Sequence, residues 1–272
     1  MRAVRRVALQ LTLCIAILAD ARLALAATLN DSDVEARVQY AYYTNDSRAL
    51  EQVAASLEQT LGGQSEAGGA QSYLLALARF RQAQLALREP VDRQSAARSS
   101  PDNSAAARHG RACLDALEQA PRPGVKMPEI LGLQAACSAL LGRASLLSAP
   151  LANARSASQL RSAALADARN PRVRLIAATV NFAREIDDSE ARQRLQEDLE
   201  QVAALFELER RDTVGVPSWG HAEVYWYLGQ VLLADGDAVA ARSALERALL
   251  LAPDFVAARE LMERVVSGPG SR

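Results

Sequence analysis

From Ser32 to Val266 the apolar residues of this chain recur at helical spacing, and the alternating β-branched and aromatic runs that would build strands are scarce. Alanine, leucine, arginine and glutamate dominate, and all of them favour helix. The pattern points to an all-α fold. With 272 residues, half of them hydrophobic, the chain is long enough for one large or two small packed domains.

The breaks in this periodicity mark the expected helices. Asp31 or Ser32 is placed to cap a first helix reaching about Tyr43; Asp46-Ser47 opens a second, which Gly62-Gly63 stops after Leu61. A third spans Gln71 to Leu87 and turns Leu74, Leu75, Leu77, Ala78 and Leu85 toward a core. Residues 89–103 are polar, with proline near both ends, and read as an exposed connector. Next come a helix over Ser104–Glu118, a turn, a helix starting at Met127-Pro128, one ending near Arg169, and one starting at Asn170-Pro171. Asp187-Asp188-Ser189 punctuates again before a long helix to about Arg211. After the irregular stretch 212–220, three helices are expected: Ala222–Ala234, Val239–Leu251 and Asp254–Val266. Consecutive antiparallel helices joined by short turns are how stacked helix hairpins read.

The amino terminus has the form of an address. Arg2, Arg5 and Arg6 precede an apolar run from Val7 to Ala19, and Ala24-Leu25-Ala26 supplies the small residues that signal peptidase reads. The apolar run falls short of the roughly 20 residues needed to cross a bilayer. Residues 1–26 are therefore expected to be a cleaved secretory signal, with an uncleaved anchor as the alternative, and Cys14 is an ordinary residue of that signal because Leu13 stands where lipidation wants a small one. Cleavage takes away four Arg and one Asp and leaves an acidic chain with no membrane insertion of its own.

Two cysteines then remain, in a compartment that oxidises thiols. In a hairpin folded near Gly124, Cys113 and Cys137 stand nearly level, so one disulfide is expected, worth about 3 kcal/mol; two buried free thiols are the alternative.

Residues 222–255 resemble one tetratricopeptide repeat. Tyr225 stands at the position usually held by Trp, Leu228-Gly229 match the Leu-Gly pair, Leu232 replaces a Tyr, and Gly236-Asp237 makes the turn. Ala241, Leu245, Ala248 and Pro253 follow at the family's offsets. Gly229, Ala241 and Ala248 are small where the two helices cross closely, and Pro253 separates one helix from the next. The resemblance implies a right-handed superhelix of stacked hairpins. It divides the chain into the signal, a degenerate helical-repeat region over 27–211, and a segment 212–272 holding the repeat and a capping helix.

The same resemblance implies a concave groove that holds a protein or peptide and is lined here by Glu223, Trp226, Gln230 and Leu233. Trp226 is the expected anchor, with packing against the capping helix as the alternative. Trp219 is expected to tuck its loop against the repeat, His221 to be a first-turn residue and His109 a solvated one. Tyr40, Tyr42 and Tyr43 are expected to cap a core with their rings while keeping their hydroxyls wet, or else to form a partner site.

Several functions lack the residues they need. Lys+Arg 31 against Asp+Glu 32 gives no basic surplus for nucleic acid. The one lysine, Lys126, follows Val125, so there is no P-loop; HExxH and GxSxG are also missing, and two histidines are little material for a metal site. No cofactor, metal or catalytic residue is expected. The reading is an exported, periplasmic interaction module of scaffold or adaptor type, of undetermined oligomeric state. The alternatives are a structural subunit of an envelope or transport complex and, behind it, an unrecognised hydrolase.

Overall fold

A computed structural model describes residues 30–63, 68–88, 104–118, 125–145, 147–212 and 217–267. Residues 1–26 with Cys14, expected to be a signal, residues 89–103, expected to be a connector, and the bend expected near Gly124 lie outside the described residues. Twelve helices and no strand are found among those described: α1 Asp31–Tyr43, α2 Ser47–Gly63, α3 Gly69–Arg88, α4 Ala105–Glu118, α5 Met127–Ala144, α6 Ala149–Ala166, α7 Pro171–Thr179, α8 Phe182–Glu185, α9 Ser189–Asp212, α10 His221–Ala234, α11 Ala238–Leu251 and α12 Val256–Ser267. The all-α expectation holds.

Local chemistry sets most boundaries. Asp46 Oδ1 accepts from Ala49 N, Asn170 Oδ1 from Val173 N, Asp188 Oδ1 from Ala191 N and Asp237 Oδ1 from Ala240 N, each satisfying a donor that the first helical turn leaves free. The first helix differs from expectation, since Asn30 rather than Asp31 or Ser32 holds the cap position and makes no side-chain bond there. The helix expected from Asn170 to the Asp187-Asp188 punctuation is divided into α7 and α8. At the division the Thr179 hydroxyl bonds back to the Leu175 carbonyl, 2.7 Å away, an arrangement that bends helices.

Neighbouring helices pack in sequence, and α1, α3, α5, α7 and α9 also pack one on the next to make an inner row. Helix α3 is its most enclosed member. Every residue from Ser72 to Ala83 is buried, so the helix is enclosed around its whole circumference and not only along the expected leucine stripe. Helix α6, on the outside, buries only Ala152, Ser156 and Ala163.

In the α10–α11 hairpin, Leu228, Ala241, Leu245 and Ala248 are buried, Leu232 is half-buried, and Gly236 turns the chain at φ +83°. Pro253 lies in the turn before α12, which starts at Val256. A Cβ on Gly229 would come within 2.8 Å of Leu245 Cδ2, so the close crossing needs glycine. Across the α4–α5 hairpin, Cys113 and Cys137 form a disulfide with Cα atoms 6.3 Å apart.

Gly229→Ala should lower the unfolding free energy by about 1–3 kcal/mol in urea titration, overpacking outweighing its gain in helix propensity. Gly62→Ala, whose new methyl meets nothing within 4 Å, serves as the opposite control and should not destabilise. A neutral Gly229→Ala would mean that α10 and α11 are free to separate. Replacing both Cys113 and Cys137 by alanine should cost about 3 kcal/mol while the circular dichroism stays helical; an unchanged urea midpoint would refute that contribution.

Candidate functional site

The inner row curls until α10 faces α1 and α3, and the contact is made by long side chains. Glu223, on the first turn of α10, is 2% exposed; its Oε1 pairs with Arg81 of α3, and its Oε2 accepts from the Tyr43 hydroxyl of α1 at 2.8 Å and from Gly220 N at 2.9 Å. Gly220 makes the tight entry to α10 at φ +106°, with the Phe206 ring where a Cβ would stand. The fully enclosed Arg81 guanidinium lies 4.1 Å over the Tyr42 ring and 5.2 Å from the Trp219 ring, and donates to Gln84 Oε1. These aromatic faces and the carboxylate compensate a buried cation that would otherwise be very costly.

A second carboxylate ties the same ends together. Glu35 of α1 accepts from Ser218 N and Trp219 N, and Trp219 Nε1 donates to the Tyr73 hydroxyl at 2.9 Å. Burial raises the Glu35 pKa against the opposing effect of the Ser218 hydrogen bonds. Burial, reinforced by the Glu223 charge, holds the Tyr43 hydroxyl well above its usual range. Trp219 is buried, with its ring beside Phe80 and Tyr73 of α3, where the expectation places it against the repeat.

The groove expectation requires correction at one position. Glu223 is not a surface residue: Arg81 and Tyr43 enclose it, leaving it nothing to offer a ligand. Leu233 is half-buried against the core. Tyr42 and Tyr43 likewise bury their hydroxyls instead of keeping them wet, the Tyr42 oxygen accepting from Arg88 and the Tyr43 hydroxyl donating to Glu223; of the three tyrosines only Tyr40 is exposed. His109 is half-buried, and burial lowers its pKa. His221 opens α10 as expected, stacked on Phe206 with Nε2 3.2 Å from Glu207.

Trp226 and Gln230 line a recess of about 180 Å³ between the inner helices. Trp226 packs on Phe255, at the foot of α12, with ring centroids 5.6 Å apart, and its face is covered by the Arg88 guanidinium at 4.8 Å. It is thus both a packing residue and part of the recess wall. Tyr227, between Trp226 and Phe182, completes the aromatic side, and burial pushes its hydroxyl up to about 12. Gln84, Arg88, Arg143 and Thr179 close the recess from α3, α5 and α7. Sequence reasoning missed these four; the only local signal was Arg88 and Arg143 in the last turns of their helices, where a cation also complements the helix dipole.

Among the described residues no three His, Cys, Asp or Glu side chains are grouped to hold a metal ion, and no helix is long and apolar enough to cross a membrane. Comparison with protein-family models, with curated proteins and with solved structures finds no match to this chain.

Arg81→Met and Glu223→Met should each destabilise the protein by about 3–5 kcal/mol, because each leaves a buried charge alone. The double variant should lose clearly less than the sum in a double-mutant cycle. Strict additivity would show that the two charges do not depend on each other.

Proposed function

We propose that this chain is an exported tetratricopeptide-like interaction module that receives a segment of another protein in the recess between its inner helices. The observation that carries the reading is the placement of Trp226 and Gln230 in the wall of that recess, opposite residues of α3, α5 and α7. Aromatic side chains held rigidly beside a cleft make good anchors, since little conformational freedom is lost when a ligand is gripped. The α10–α11 crossing at Gly229 and the turn at Gly236 support the repeat resemblance. The amino-terminal residues 1–26 support export to the periplasm.

A second reading, a structural subunit of an envelope or transport complex, is favoured by a separate feature. Leu147, Leu151 and Leu165 are exposed on and beside α6 at 78%, 70% and 89%. Leu151 and Leu165 fall within about 40° of each other around α6 but about four turns apart, so a covering surface would have to lie along the whole helix to reach both.

Cross-linking capture from the cell envelope separates the two. Trp226→Ala, with folding checked by circular dichroism, should lose one specific partner, while Leu151→Asp with Leu165→Asp should retain it. The reverse outcome, loss only with the leucine substitutions, would transfer the binding surface to α6 and overturn the groove reading.

A further inference from the structure

The recess of Trp226 does not stand alone. It continues into a narrower space of about 50 Å³ and then into a third of about 170 Å³ beside α6 and α8, and Arg143 lines all three. Together they make a trough with a narrow waist. A single extended strand, which places alternate side chains to either side, matches two wider spaces on either side of a smaller one better than an α-helix about 10–12 Å across.

The trough has one sign of charge. Its charged lining residues are Arg88, Arg143 and Arg184, and no aspartate or glutamate lines any of its three parts. This segregation occurs in a chain whose basic and acidic residues are nearly equal in number. It also contrasts with the other arginines near the interior: Arg79, Arg81, Arg172 and Arg192 each pair with at least one carboxylate. Among the described residues no carboxylate pairs with Arg88, Arg143 or Arg184.

The trough is also short of acceptors. Gln230 Nε2, in the wall of its first part, is buried with no hydrogen-bond partner, a state that costs about 1–3 kcal/mol until an acceptor arrives. Arg143 and Arg184 are exposed, so they can turn toward a ligand without breaking an existing ion pair.

We propose that the trough selects an extended, acidic segment of a partner protein. Side-chain carboxylates meet Arg143 and Arg184, an acceptor of the segment satisfies Gln230, and an apolar side chain lies against Trp226 and Tyr227. The proposal rests on the groove reading given above and adds the chemistry of the occupant. Guanidinium groups hold carboxylates through paired charge-assisted hydrogen bonds, which gives the trough direction as well as attraction. Three arginines in a net-acidic chain are too few to track a nucleic-acid backbone.

The test uses the full disulfide-bonded chain, with a random-peptide phage library as the probe. Peptides retained by the wild-type protein but not by Trp226→Ala should be rich in aspartate and glutamate around an apolar residue. A synthetic peptide of the enriched sequence should bind about tenfold or more weakly to Arg143→Glu with Arg184→Glu, and more weakly in high salt, with the thermal midpoint unchanged. The same double variant should gain affinity for the lysine-substituted version of that peptide. Trp226-dependent peptides without an acidic bias would overturn this proposal and leave the groove reading standing. No Trp226-dependent peptide at all would overturn both. Equal competition by inorganic phosphate, or tighter retention of oligothymidylate than of any peptide, would assign the arginines to a small anion or a nucleic acid instead. A thermal midpoint lowered by the double variant with peptide binding unchanged would reduce them to neutralising helix ends, and the proposal would fall.

Discussion

The structure turns on a charge pair placed where charges are least welcome. Arg81 and Glu223 are 142 residues apart in sequence, and both are sealed from solvent. Apolar side chains alone could have filled their space at lower desolvation cost. Their geometric contribution is reach: a guanidinium and a carboxylate span the gap between α3 and α10 while Tyr42 and Trp219 cover the faces of the cation. Around the pair, Tyr43 and Glu35 draw α1 to the entry of α10. The amino-terminal hairpin and the carboxy-terminal hairpin thus share one interior.

That constraint separates the molecule from an ideal stack of hairpins in which each unit meets only its neighbours. A second buried cluster works in the same way farther along. Arg172, at the start of α7, pairs with Glu129 of α5 and with Glu209 of α9, and Asn170 donates to the same Glu129 oxygen. Polar pairs of this kind fix which helix lies against which, a task that alanine and leucine, similar everywhere along this chain, perform poorly. The specificity has a cost in stability, and the disulfide between α4 and α5 supplies part of the compensation.

Much of the local structure was legible in the sequence because its causes are local. Asp46, Asn170, Asp188 and Asp237 announce helix starts through side chains that reach only three residues ahead. The disulfide followed from counting residues on either side of one bend. What could not be read was long-range. Glu223 occupies a helix position consistent with a groove, and only the arrival of Arg81 and Tyr43 from a distant part of the chain makes it interior. The division between α7 and α8 was missed because a threonine inside an apolar helix carries no periodic signal. Arg88 and Arg143 were passed over because a basic residue in a last helical turn is ordinary; their meaning lies in the absence of carboxylates around them, which no sequence spacing displays.

The shared interior also bears on the order in which the protein can form. Helix α1 has Glu35 and Tyr43 ready early in synthesis, yet their partners lie at Ser218, Trp219 and Glu223, separated from them by up to 184 residues. Until those residues are present, Glu35 and Tyr43 have only their bonds to Gln39 within α1, and Arg81 lacks its counter-charge. Closure of so long a loop is slow compared with the pairing of adjacent helices. An emerging chain of this kind cannot complete its interior until nearly its whole length has been made.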